Sequence, residues 1–293
     1  MTIIRAQDRA DGIYFGEGPR WHDGALWFSD FFAHAIKRWT ADGGTEIVVR
    51  LEGDAQPSGL GWSPDGTLHF VSMLDRRLMR WEGSGDPTVV AELADLAPFH
   101  CNDMVMAADG TAYVGNFGFD LHTWESERSM KEILRDSPAT NLVRVRPDGT
   151  ADVVAEDLRF PNGMVILGDV LVVAETMGQC LTAFDIAGDG TLSGRRVFAD
   201  LGRRLPDGIC ADAEGRIWVA DPSSTECVLV AEGGEVVSTV QLSQTPFACM
   251  LGGADGRTLH VLTSTESHAD RALQACSGKI ETAVVDVPHG GRP

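Results

Sequence analysis

The chain has 293 residues, enough to bury a large core as one big domain or two ordinary ones. Its 24 Lys and Arg against 43 Asp and Glu leave a formal net charge of −19, which repels phosphate backbones and anionic membrane surfaces. No apolar run approaches the roughly 18 residues of a spanning helix, and Met1 to Gly12 lacks the apolar core of a secretory leader. We therefore expect a cytoplasmic protein without nucleic-acid or membrane partners. The six cysteines (Cys101, Cys180, Cys210, Cys227, Cys249, Cys276) are scattered, form no C-x-x-C pair and mostly sit in apolar strand contexts. That usage suits buried reduced thiols better than disulfides or zinc.

In chain order, one phrase recurs about six times. Phe15 to Trp21 leads through the turn His22-Asp23-Gly24 into Ala25 to Asp30. Pro57 to Trp62, the turn Pro64-Asp65-Gly66 and Thr67 to Val71 form the second copy, and Cys101 to Met106, Ala108-Asp109-Gly110 and Thr111 to Asn116 the third. Phe160 to Ile166 with Val170 to Glu175 is the fourth, Leu205 to Asp221 the fifth, and Thr245 to Met250 with Leu259 to Leu262 the sixth. Two short apolar strands joined by an Asp-Gly or Glu-Gly turn read as a β-hairpin. The opening positions Glu17, Ser58, Asn102, Asn162, Asp207 and Phe247 lie 41, 44, 60, 45 and 40 residues apart. A period near 40–45 residues made of short strands predicts an all-β, six-bladed propeller with about four strands per blade, spanning residues 1–293 as a single domain.

Further strand pairs between the copies, such as Ala35 to Trp39 with Glu46 to Val49, supply the outer hairpins. Lys279 to Val287 alternates like a strand and is expected to pair with the N-terminal segment, closing the ring. The 60-residue interval is too long for one blade. Its surplus, about residues 119–139, contains Trp124 to Leu134 and reads as a short helix or lid inserted into the third blade; an inert surface loop or an oligomer contact would give the same pattern.

Equivalent positions of a propeller repeat meet around the central axis. The polar openings Glu17, Asn102, Asn162 and Asp207 then form one ring of two carboxylates and two amide carbonyls, an oxygen-rich set for Ca²⁺, Mg²⁺ or Mn²⁺. Zn²⁺ would ordinarily draw His or Cys. Asn or Asp in a Pro-x-Gly context is usually a turn residue. Four oxygen donors at one repeat position are harder to assign to turns, and Gly16-Glu17-Gly18-Pro19 puts a long carboxylate where other copies carry small residues.

Gly16-Glu17-Gly18-Pro19-Arg20-Trp21, Asn102-Asp103, Pro161-Asn162-Gly163-Met164 and Pro206-Asp207-Gly208-Ile209 resemble the regucalcin/gluconolactonase (senescence marker protein) family over nearly the whole chain. The resemblance implies a six-bladed propeller with an axial divalent cation, calcium foremost, and hydrolysis of lactones. It implies Glu17, Asn162 and Asp207 as metal ligands and Asn102 as an active-site amide touching metal or substrate. Sugar-lactone members carry Arg two residues before the Asn-Asp pair, where this chain has His100. A neutral imidazole offers one donor and one acceptor in place of the guanidinium fork, so a less polar lactone or ester is expected.

The expected reaction is lactone opening by metal-activated water, with Asp207 as ligand and general base, Asn102 at the oxyanion, and His100 and Trp124 as substrate-side residues. Three other readings fit the same residues: a phosphotriesterase-like hydrolase, a metal-dependent lyase or isomerase working through an enolate, and a non-enzymatic calcium-binding propeller. The remaining histidines show no ligand spacing, and the tryptophans, Trp124 apart, recur at strand positions that suit packing between blades.

Overall fold

The turns of the repeat close through local chemistry. In Ser63 to Thr67 the Asp65 carboxylate accepts from Thr67 N at 3.1 Å and Ser63 Oγ at 2.6 Å, while Gly66 takes φ +83°. A residue with a Cβ reaches that conformation only under strain, which is why the turn ends in glycine. The same acid-to-amide bond recurs from Asp109 to Thr111, Asp148 to Thr150, Asp189 to Thr191 and Asp255 to Arg257.

These hairpins build six sheets in a computed structural model that describes residues 2–293; Met1, where the segment read for a leader begins, lies outside them. The protein is a six-bladed β-propeller. The innermost strands are, in order, Gly16–His22, Pro57–Trp62, Cys101–Met106, Pro161–Leu167, Ile209–Ala211 and Thr245–Gly252. The last blade is completed by the N-terminal strand Gln7–Ile13, antiparallel to Gly278–Val284, so the expected pairing of the two chain ends closes the ring. One feature has no signature in the repeat: Thr2–Arg5 adds to the fifth blade as a fifth strand, parallel to Val236–Gln241.

Neighbouring blades are joined by aromatic contacts. Trp21 of the first blade stacks on His260 of the sixth with ring centroids 5.0 Å apart, and Trp27 meets Trp62 of the second edge-on at 5.4 Å. Burial pushes the His260 imidazole down to about 4, so it packs as a neutral ring. All six cysteines are free thiols.

The surplus of the third blade lies between its second and third strands and forms two helices, α1 (Leu121–Glu127) and α2 (Met130–Asp136). The run from Trp124 to Leu134 is thus broken at Arg128-Ser129. Ser129 opens α2 with a capping box, its side chain accepting from Glu132 N while Glu132 reaches back to Ser129 N. A third helix, α3 (Ala269–Ala275), joins two strands of the sixth blade. Among the described residues no helix is long and apolar enough to cross a membrane.

Candidate metal centre and cavity

Five of the six inner strands carry a register shift at one repeat position: between Glu17 and Arg20, Pro57 and Leu60, Cys101 and Met104, Pro161 and Met164, and Pro246 and Ala248. In the fifth blade Asp207 N donates to Ala220 O while Ala220 N donates to Gly208 O, which sets two residues against one in the same way. An extra residue bends the strand and re-aims its side chains. Glu17, Asn102, Asn162 and Asp207 all fall at this irregularity, and all four line one cavity of about 360 Å³.

The inner strands approach closely there. A Cβ on Gly163 would lie 2.6 Å from Asp207 O, and one on Gly208 2.6 Å from the Ala248 Cα, so both must be glycine. Gly163 N donates to Asp207 O, and Gly208 N to Phe247 O, which ties the fourth, fifth and sixth blades at the level of the carboxylate.

Electrostatically the floor is under tension. Burial pushes the Glu17 carboxyl well above its ordinary range, and the neighbouring Asp207 and Asp103 push it further; Asp207 is raised by burial and then by Asp103. The nearest fixed cation is already engaged. Arg20 donates from Nη2 to Asp103 Oδ1 at 2.9 Å and to Met104 O, and from Nε to Leu60 O at 2.9 Å, stitching the first three blades one level further along the channel. Asn162 is oriented by a relay: its Nδ2 donates to Thr176 Oγ1 at 3.2 Å, and Thr176 donates to Pro206 O at 2.7 Å. The Asn162 side chain also hydrogen-bonds the Asp207 carboxyl, which places its amide beside the ring carboxylates. Two carboxylates and two amides, with Arg20 committed to Asp103 and Arg271 of the same cavity paired to Glu266, are a donor set that fits a divalent ion of the calcium class.

Sequence reasoning overlooked several of these residues. Asp103 and Arg20 stand within the quoted motifs, but their pairing is visible only in three dimensions. Thr176, in the turn just after the strand Val170–Glu175, has no repeat signature.

Much of the wall is apolar: Phe15, Phe31, Phe117, Phe160, Met73 and Met177 pack as one cluster and also line the cavity, together with polar residues such as Gln56, Thr245 and Glu266. Phe15 meets Phe247 at 4.7 Å and Phe117 meets Phe160 at 4.6 Å, both edge-on. His100 lies off the axial cavity. It lines an annex of about 430 Å³ that shares Phe32, Met73, Phe117, His122 and His268, among others, with the axial cavity; its ring packs tilted against Phe99 with centroids 4.1 Å apart, and burial lowers its basicity. Trp124 lines neither cavity; it packs on Phe119 at 4.7 Å under the Arg128 guanidinium, while its α1 neighbours Leu121, His122 and Glu125 reach the axial cavity. A larger groove of about 1170 Å³ between the first and sixth blades, near Trp21, Trp39 and His260, is remote from the ring.

Comparison with known proteins agrees with this architecture. Residues 15–265 match the family described as SMP-30/Gluconolactonase/LRE-like region. A gluconolactonase of Zymomonas mobilis is 23% identical over 87% of this chain and 78% of its own length. A pentonolactonase of Haloferax volcanii is 27% identical over 100% of this chain and 97% of its own. The crystal structure of a calcium-binding protein, regucalcin, from Agrobacterium tumefaciens superposes with a TM-score of 0.80 at 21% identity, covering 100% of this chain and 98% of that one.

Proposed function

The chain belongs to the SMP-30/gluconolactonase/LRE-like family, and we propose that it is a divalent-metal-dependent lactonase whose substrate is an apolar lactone rather than a sugar lactone. The observation that carries the reading is the contrast within one cavity: a floor of Glu17, Asn102, Asn162 and Asp207 beside a wall of phenylalanine and methionine, with the polar side chains of α1 and of the segment before α3 confined to the mouth.

Glu17, Asn162 and Asp207 would hold one divalent cation, with calcium favoured by the all-oxygen donor set. When bound, the cation supplies Lewis-acid polarisation of the lactone carbonyl and acidifies water. The Asp207 carboxylate, buried but lining the cavity floor, takes the proton of the attacking water. Asn102 Nδ2 donates to the oxygen on which charge develops. The Phe15, Phe31 and Phe160 faces exclude bulk water and bind the apolar part of the ring or its substituent. The family resemblance implies an Arg at the position of His100, and a neutral imidazole packed against Phe99 in the annex offers a polyol less than a guanidinium fork would.

Proton release from alkyl, aromatic and sugar lactones, followed with chelator and with Ca²⁺, Mg²⁺, Mn²⁺ or Zn²⁺ restored, tests both parts. Metal-restored turnover that favours alkyl or aromatic lactones supports the reading. Preference for sugar lactones overturns the substrate class, and absence of lactone hydrolysis by metal-loaded protein overturns the reaction.

A further inference from the structure

A second group of ligand-type side chains stands at the mouth of the cavity. His122 and Glu125 lie three residues apart on α1, so they share one face of the helix. Asp120 fixes the start of that helix by accepting from Thr123 N at 3.0 Å and Thr123 Oγ1 at 2.8 Å. Across the mouth, His268 occupies the N-cap position of α3, yet its side chain makes no capping hydrogen bond.

His122 Nδ1 lies 3.6 Å and His268 Nε2 3.4 Å from the same atom, Glu125 Oε2, and the two rings are 5.1 Å apart. One ligand atom from each residue falls within 4.8 Å of the others. Both contacts are at or beyond the limit for a hydrogen bond. They are the separations expected of neighbours on one small ion: tetrahedral zinc, with bonds of about 2.0–2.1 Å, holds its ligands roughly 3.4 Å from each other.

We propose that His122, Glu125 and His268 form a binding site for a zinc-class divalent cation, separate from the axial ring, which bridges the third-blade insertion to α3 across the cavity mouth. The donor chemistry separates the two sites. Two imidazole nitrogens and one carboxylate suit Zn²⁺, whereas the four oxygen donors of the floor suit Ca²⁺. Three protein ligands leave a fourth position for water, and all three side chains line the axial cavity. His122 is about half exposed, so an ion enters from solvent. The site stands whether or not the floor hydrolyses lactones.

The test is Zn²⁺ titration by calorimetry of the full chain kept in excess Ca²⁺, with Co²⁺ as a second probe whose visible absorption reports tetrahedral coordination. The expected result is one equivalent of Zn²⁺ bound despite the calcium, and a tetrahedral cobalt spectrum. Affinity should fall by more than the roughly 10–100-fold that follows loss of an outer partner, in His268→Ala and equally in the near-isosteric Glu125→Gln. Asp207→Asn should leave this equivalent in place. The proposal is overturned if no Zn²⁺ binds, if His268→Ala and Glu125→Gln bind it as the parent does, or if Asp207→Asn abolishes it.

Discussion

At the floor of the cavity, Glu17, Asn102, Asn162 and Asp207 stand at strand irregularities between inner strands tied by backbone hydrogen bonds. At the mouth, His122, Glu125, His268 and Arg271 stand on seven-residue helices or the segments beside them, and their contacts are among partly exposed side chains. The floor is repeat geometry, fixed before any side chain is chosen; the mouth is an elaboration of two blades. The difference teaches that floor and mouth are structures of different origin, so that substitutions in one can be made without disturbing the other.

The largest effect is expected at the floor. Asp207→Asn should lower kcat by roughly 10²–10⁴-fold, the contribution of a positioned general base, with circular dichroism unchanged. In metal-free protein the same change should raise Tm, because it removes a carboxyl whose ionisation burial disfavours. Opposite signs for activity and metal-free stability would mark a functional site; a loss of both would mark a structural one.

Next comes the layer beneath. Arg20→Met strands a buried Asp103 and should destabilise the fold by about 3–5 kcal/mol in denaturant titration. Arg20→Met with Asp103→Leu should recover much of it, since an apolar pair carries no desolvation cost.

Calcium at 100 times its Kd should add about 2.7 kcal/mol to stability, seen as a rise in Tm reversed by chelator. Acid should shrink that gain. Glu17, Asp207 and Asp103 have folded-state pKa values raised above their unfolded values, chiefly by burial, so their ionisation opposes folding. The metal-free chain therefore recovers stability from these groups as pH falls from neutral through the raised values toward the ordinary carboxylate range. Protons also compete with the cation, so the Tm gap between loaded and metal-free protein should narrow as pH falls.

The smallest effect belongs to the walls. Phe32→Ala, at a half-buried position, should cost an alkyl lactone about 10-fold in kcat/KM, within the 1–3 kcal/mol a hydrophobic contact contributes, and leave a sugar lactone nearly unchanged. Equal losses for both would mean the aromatic wall does not select.

The same division decided what could be read from the sequence. That Glu17, Asn102, Asn162 and Asp207 line one cavity was legible because a 40–45-residue period maps onto one level of an axis, and placement at a fixed repeat position needs no knowledge of loops. Ring closure by Gln7–Ile13 followed from the alternation of the C-terminal strand. The Arg20–Asp103 pair and the Thr176 relay were not legible, since they join residues 83 and 14 positions apart through space that only packed blades define. The phenylalanine wall was hidden for a related reason: Phe15, Phe31, Phe117 and Phe160 come from segments beside the strands of three blades, and each alone looks like ordinary core. His268 lies just before a helix that the strand pattern masked.

The most direct test of the central claim follows hydrolysis of one alkyl-substituted lactone by chelated protein, before and after one equivalent of Ca²⁺, in parent and Asp207→Asn. The account requires negligible turnover without metal, recovery in the parent, and turnover roughly 10²–10⁴-fold lower in the variant even when further Ca²⁺ is added to fill its site. Turnover indifferent to chelation, or full recovery in Asp207→Asn, would contradict it.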